Sequence, residues 1–269
     1  MTVSFEHNPS SQIVKRTLDN PDFEYNARYN RTLDYAVNGL NQYTQVDAHS
    51  ATAPATPYGY DANGNLTADG VRSYTYDVEN RLVATSDGLA LVYDPLGRLF
   101  QTSGGASGVT RFLYDGDALV AEYDESGAMR ARYMHGPGVD EPILWDAGST
   151  LNCSTTRMLH TDHQGSVIAT ADCYGNRTAV NTYDEYGVPG SGNVGRFQYT
   201  GQIWLPDLGM SHYKARLYSP QLGRFLQTDP IGYDDQINLY AYVAGEPPRV
   251  CRRPWVVSHA AISMLSAAA

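Results

Sequence analysis

Few residues in this chain of 269 have types and spacings that could do chemistry. The densest group is His160-Thr161-Asp162-His163. Two imidazoles and a carboxylate could begin a metal site, but a metal needs third and fourth ligands, and none stands at a helpful spacing. The group therefore reads as a hairpin loop. The cysteines are Cys153, Cys173 and Cys251, an odd number at irregular spacing, which is neither a disulfide framework nor a zinc pattern. Cys153 and Cys173 flank a hairpin-like segment and could pair, yet the weakness of spacing as a guide favours free thiols. Arg252 and Arg253 would lower the pKa of the Cys251 thiol, but a nucleophile also needs a positioned base. Asp229-Pro230-Ile231-Gly232 has the make-up of a turn, with Pro fixing φ and Gly allowing the reversal. The 21 tyrosines could stack on sugars, although cross-strand packing is their commoner role.

The elements that must carry these residues are announced by a dipeptide that keeps returning. Tyr-Asp, with Gly or Asn three residues after the Asp, occurs at Tyr60-Asp61, Tyr76-Asp77 and Tyr93-Asp94, spaced 16 and 17 residues apart. Weaker copies stand at Tyr114-Asp115, Tyr123-Asp124 and Tyr183-Asp184. A fixed period means one small unit used many times. Asp suits the first position of a type I turn, where its carboxylate accepts backbone N–H groups two residues on. Gly or Asn at the fourth position tolerates the left-handed backbone that rejoins the partner strand. Arg72, Tyr74 and Tyr76 alternate with Val71, Ser73 and Thr75, and Leu89, Leu91 and Tyr93 alternate with Ala90, Val92 and Asp94, which is the strand period. The spacing predicts hairpins with turns at Asp61–Gly64, Asp77–Asn80 and Asp94–Gly97, and mostly strand over 58–248.

Composition agrees. Many Tyr and Gly with 18% charged residues fit an all-β chain rich in turns. No stretch reaches the roughly 18 apolar residues of a membrane helix. Met1 to Arg16 contains no apolar run, so no secretory signal is visible. The net charge is −10, and residues 249–269 hold three arginines and no acid, leaving −13 on residues 1–248. An acidic surface repels phosphate backbones, which argues against nucleic acid as a partner, and solubility is its plainest use. Strand signal is poor over 1–57, strongest over 58–139, and looser over 140–248. Residues 249–269 have no strand alternation and are expected to pack poorly.

One segment is far more specific. Ala215-Arg216-Leu217-Tyr218-Ser219-Pro220-Gln221-Leu222-Gly223-Arg224-Phe225-Leu226-Gln227-Thr228-Asp229-Pro230-Ile231-Gly232 is followed by Ile237-Asn238-Leu239-Tyr240-Ala241-Tyr242-Val243. Together with the Tyr-Asp hairpins, this resembles the bacterial Rhs or YD-repeat family, and within it the Rhs repeat-associated core, over roughly residues 5–248. The resemblance implies a strip of successive antiparallel β-hairpins wound into a hollow shell around a C-terminal toxin. It implies a core that curls inward as a plug and acts as an aspartyl self-protease, cutting just after a second Asp-Pro-x-Gly. Asp229 then resembles one catalytic carboxylate and Arg216 an arginine associated with that site. The other carboxylate should fall at position 251 or 252, but Cys251 and Arg252 stand there, and no Asp or Glu follows Glu246. Paired carboxylates share a proton so that one acts as base and the other as acid, and one carboxylate beside an arginine lacks that chemistry.

The expectation is therefore an all-β partial strip of a Rhs shell, divided into a lead-in of degenerate repeats (1–57), a hairpin array (58–139), the core region (140–248) and an out-of-frame or foreign tail (249–269). Its function would be structural, as a truncated fragment without its toxin, with a vestigial site at Asp229 and Arg216 and no cofactor or metal. Implied partners are other shell segments, an enclosed toxin polypeptide, a secretion-system spike or an immunity protein, with no membrane span. The family leaves the cell through a dedicated secretion system; an orphaned fragment would stay in the cytoplasm. A self-cleaving protease and a carbohydrate- or partner-binding surface module are the alternatives.

Overall fold

A computed structural model describes residues 2–11, 13–28, 33–48, 56–234 and 237–242. Its largest element is an eleven-stranded antiparallel sheet whose strands follow chain order from Tyr74–Tyr76 to Arg177–Val180. Before it come a hairpin of Val3–His7 with Ile13–Leu18, a three-stranded sheet of Leu33–Val37, Tyr43–Ala48 and Thr56–Pro57, and a short hairpin of Gly59–Tyr60 with Leu66–Ala68. Residues before 58 thus form strands although their sequence signal is weak. After the large sheet, Ile203–Leu205, Met210–Tyr213, Arg216–Ser219 and Arg224–Phe225 make a second, four-stranded layer. The large sheet crosses residue 139 without a break, Met129–His135 pairing with Pro142–Asp146. Residues 249–269, with Cys251 and Arg252, lie outside the described residues.

The repeat has a definite mechanism. In each of the three predicted turns the fourth residue donates its N–H to the Asp carbonyl, at 3.1 Å for Gly64, 3.1 Å for Asn80 and 2.9 Å for Gly97. The Asp carboxylate accepts the N–H groups two and four residues on, as Asp94 does from Leu96 and Arg98, both at 2.9 Å. The strand then resumes with a bulge. Tyr76 pairs with Leu82 but Thr75 with Ala84, and Tyr93 pairs with Leu99 but Val92 with Gln101. A bulge leaves backbone groups out of the ladder. The tyrosine of the next repeat supplies the missing donor, Tyr76 Oη to the Leu66 carbonyl at 2.8 Å and Tyr93 Oη to the Leu82 carbonyl at 3.0 Å. Tyr183 does the same for Val167 at 2.9 Å. Arginine four residues after Asp completes the unit. Arg81 and Arg98 pair with the carboxylates of their own turns at 2.7 Å, and lie over the rings of Tyr93 and Tyr114 at 5.0 and 5.2 Å.

At four of the bulges the residue just before the extra one points into the core. Leu66, Leu82, Leu99 and Val167 are all at most 2% exposed. They pack against Ile203, Leu205, Leu208, Met210, Leu217 and Leu226 of the second layer. Two of them also bond across the layers, Leu66 N–H to the Leu226 carbonyl at 2.9 Å and Val167 N–H to the Gln198 carbonyl at 3.0 Å. Gly64 shows how close the approach is. It has φ of +85°, and a Cβ there would meet Thr228 Cγ2 and Tyr240 Oη, each at 2.8 Å. Asn80 takes the equivalent left-handed position at φ +62°, its side-chain oxygen accepting from Asn63 and Asn65 at 2.8 and 2.9 Å.

The free-thiol expectation for Cys153 and Cys173 is overturned: they form a disulfide, with Cα atoms 5.2 Å apart. The reason is topological. The connection 147–155 and the turn 172–175 leave the sheet at the same end, which sequence distance does not reveal.

Tyr93→Phe should lower stability by about 1 kcal/mol by orphaning the Leu82 carbonyl. Asp94→Ala should cost more, because it frees two N–H groups and the Arg98 guanidinium together. Thermal unfolding of the two variants checks the order. His212, in the second layer, is 4% exposed, and burial, then Lys214, lowers its pKa to about 4. The unfolded chain binds the extra proton between its ordinary value near 6.5 and about 4, so stability should fall as pH drops through that window, by on the order of 3 kcal/mol. Denaturant titrations across the window should show this slope, and His212→Gln should flatten it.

Candidate functional site

The second layer brings Arg216 and Asp229 together. Arg216 opens the strand Arg216–Ser219, and Asp229 follows Arg224–Phe225 in a turn closed by Gly232 N–H on the Asp229 carbonyl at 2.9 Å. Pro230 and Gly232, at φ +69°, fit that turn as the composition suggests. Arg216 Nη2 lies 2.8 Å from Asp229 Oδ2, with side chains only 11% and 5% exposed. The other carboxylate oxygen, Oδ1, accepts the Ile231 N–H at 3.1 Å. The Arg216 guanidinium carbon stands 3.8 Å over the Phe225 ring, and its Nη1 donates to the Leu239 carbonyl at 3.3 Å.

An aromatic cluster adjoins this pair through Phe225. Tyr199, Tyr213, Tyr218, Phe225 and Tyr242 are all buried and make edge-on or tilted contacts. Their hydroxyls are paired: Tyr218 Oη donates to the Tyr186 carbonyl at 2.9 Å, Tyr199 Oη to the Glu185 carbonyl at 3.2 Å, and Tyr213 Oη meets Thr200 Oγ1 at 2.7 Å. Burial pushes the Tyr213 and Tyr218 phenols well above their ordinary range, so neither exchanges protons near neutrality. Burial also raises the Asp184 carboxyl, against the pull of the Val188 and Tyr186 N–H groups.

The remaining sequence candidates stand elsewhere. Asp162 is a turn anchor, accepting Gln164 and Ser166 N–H at 2.9 and 3.0 Å, and the His163 ring packs edge-on against Phe5. Among the described residues, no group of three or more His, Cys, Asp and Glu is placed to hold a metal. Sequence reasoning missed the contact that joins the two layers most directly. Arg196 pairs with buried Glu122 through Nε–Oε1 at 2.7 Å and Nη2–Oε2 at 2.8 Å, and Tyr133 Oη donates to the same carboxylate at 2.7 Å. The sequence separation of 74 leaves no local pattern; the one hint was a glutamate amid the apolar residues of Ala118–Tyr123. It also missed Arg224, whose guanidinium lies 3.3 Å from the Tyr43 ring centroid and donates to the Asn41 carbonyl at 2.8 Å.

Chemically, Asp229 is a carboxylate with both oxygens engaged and a cation on one of them. That arrangement holds a charge in place. Arg216→Ala should leave the Asp229 charge buried and unpaired, and should cost about 3–5 kcal/mol. Asp229→Asn should cost less, since its amide oxygen can still accept from Arg216. Chemical denaturation of both variants checks this order.

No family model matches the chain. The tRNA3(Ser)-specific nuclease WapA of Bacillus spizizenii is 30% identical over 238 residues, covering 81% of this chain and 10% of that protein. The toxin protein Tse5 of Pseudomonas aeruginosa is 28% identical over 241 residues, covering 71% of this chain and 18% of that protein. The chain thus spans less than a fifth of either relative. A crystal structure of TcdB2-TccC3-TEV matches with a TM-score of 0.59 at 17% identity, over 94% of this chain and 17% of that one. This chain is similar in sequence to a segment of a bacterial tRNA nuclease and to a segment of a bacterial toxin protein, and its all-β fold matches part of a chain in the TcdB2-TccC3-TEV structure.

Proposed function

We propose that this chain is a stretch of wall from a Rhs-type shell that encloses a toxin delivered between bacteria. The observation that carries the reading is the pairing of a one-directional strip of Tyr-Asp hairpins with a second layer packed on its inner face. A strip of this kind extends by adding hairpins, each locked by the next tyrosine, and so suits an enclosure better than a closed catalytic domain. In this reading its partners are neighbouring wall segments and the enclosed polypeptide, and it works outside the cell that makes it.

Asp229 and Arg216 are then the vestige of a self-protease site and act as a clasp within the second layer. Support comes from the engagement of both Asp229 oxygens and from Cys251 and Arg252 standing where the second carboxylate would fall. The tyrosine stripe is likewise occupied: Tyr76 and Tyr93 spend their hydroxyls on backbone carbonyls, which favours packing over sugar stacking.

Two measurements test this. Intact mass of the purified protein should show no internal cut. A single cut after residue 242 that disappears in Asp229→Asn would overturn the vestigial reading. Replacing the matching segment of Tse5 with residues 58–242 should leave its limited-proteolysis pattern unchanged. New cleavage throughout the chimera, with the donor chain itself resistant, would contradict a role as wall.

A further inference from the structure

We propose that the Cys153–Cys173 disulfide is a redox clamp on the edge of the strip, closed in an oxidising exterior and opened by thiols in a reducing cytosol. The direction of the switch rests on the delivery reading above; the clamp itself rests on geometry. In the sheet the last strands run Pro142–Asp146, Thr156–Thr161, Val167–Ala171 and Arg177–Val180, and among the described residues the last of these has a strand neighbour on one side only. Edge hairpins are the first parts of a sheet to open. The disulfide ties the turn of this edge hairpin, residues 172–175, back to the connection 147–155, two strands further in.

Besides the disulfide, that corner is held by short-range contacts, with the Asp172 carboxylate accepting the Tyr174 and Asn176 N–H groups at 2.9 and 2.8 Å and Thr170 Oγ1 meeting Thr178 Oγ1 at 2.7 Å. The ion pair of Arg177 with Asp22 at 2.8 Å lies between side chains about half exposed, where such a pair contributes little. The clamp also shields a buried charge. Asp146 is fully buried and accepts Thr155 Oγ1 at 2.7 Å, Thr156 Oγ1 at 3.1 Å and Arg132 Nη2 at 3.2 Å. Thr155 is two residues from Cys153, so freeing the connection 147–155 removes one of these donors and admits water to the carboxylate. The sulfurs are within reach of solvent, because Cys153 is exposed and Cys173 is half-buried.

The chemistry is thiol–disulfide exchange. To close the clamp, one protein thiolate attacks a small-molecule disulfide such as oxidised glutathione, whose S–S bond breaks and releases one thiolate. The second protein thiolate attacks the mixed disulfide and releases the other. Two protein thiols thus become one disulfide while one glutathione disulfide becomes two thiols. Excess reduced thiol runs both steps backwards. Disulfides of this kind persist outside the cell and are reduced inside it.

The test uses the full chain, equilibrated with oxidised glutathione. Alkylation under denaturing conditions should then modify one of the three cysteines, and all three after reduction. Hydrogen exchange read by mass spectrometry should speed up about a hundredfold over 147–155 and 167–180 on adding dithiothreitol, the scale expected from opening a loop of this length. Leu99–Ser103 and Thr110–Asp115 should be unaffected. Cys153→Ser should already exchange fast and ignore dithiothreitol. Three free thiols after oxidation, unchanged exchange on reduction, or the same acceleration in Cys153→Ser would each overturn the clamp. If the variant does not fold, the wild-type comparison alone decides. An ineffective clamp leaves the wall reading standing, and a failed Tse5 chimera leaves the clamp standing.

Discussion

Everything else in this fold depends on one carboxylate turning one corner. An aspartate that accepts two backbone N–H groups fixes a four-residue turn, and the turn imposes a bulge where the strand resumes. The bulge has two effects. It aims the preceding aliphatic residue into the core, and it leaves a carbonyl that only an outside donor can satisfy. The next tyrosine is that donor. Each hairpin is therefore incomplete until its successor has folded against it, and the sheet grows in chain order as a result. Arg81 and Arg98 reinforce the link by joining the carboxylate of one turn to the aromatic ring of the next repeat.

The second layer exploits the same defect. Where Leu66 and Val167 precede their bulges, their N–H groups turn inward and are taken by Leu226 and Gln198. Polar contacts then fix the docking: Glu122 with Arg196 and Tyr133, and Arg224 with Tyr43 and the Asn41 carbonyl. A buried carboxylate and guanidinium in bidentate register tolerate little sliding of one layer over the other. The Asp229–Arg216 pair sits within this layer and works with it. With Arg216 stacked on Phe225, a member of the buried aromatic cluster, it is a packed joint.

The repeats were legible because their information is local. Asp61, Asp77 and Asp94 each lie within five residues of every backbone group they control, so composition and spacing expose them. The strands at 3–7, 13–18, 33–37 and 43–48 were faint, since Asn and Ser replace Asp and Gly in their turns, with Asn38 doing the work of Asp through its amide oxygen. The disulfide was misjudged because 20 residues of separation say nothing about which sheet end each cysteine reaches. Glu122 and Arg196 were invisible for the same reason: their partnership exists only once the strip and the second layer have met. Asp229 and Arg216 were found through resemblance, and their contact depends on two strands folding back on each other.

The measurement closest to the central claim, that a second layer docks on the inward-facing bulges of a hairpin strip, is residue-specific amide exchange at Leu66 and Val167. Both N–H groups donate across the layers. Docking predicts that both exchange as slowly as the buried strand interior and only through global unfolding. Exchange as fast as an exposed loop at either position, in a chain whose strands remain protected, would contradict the account.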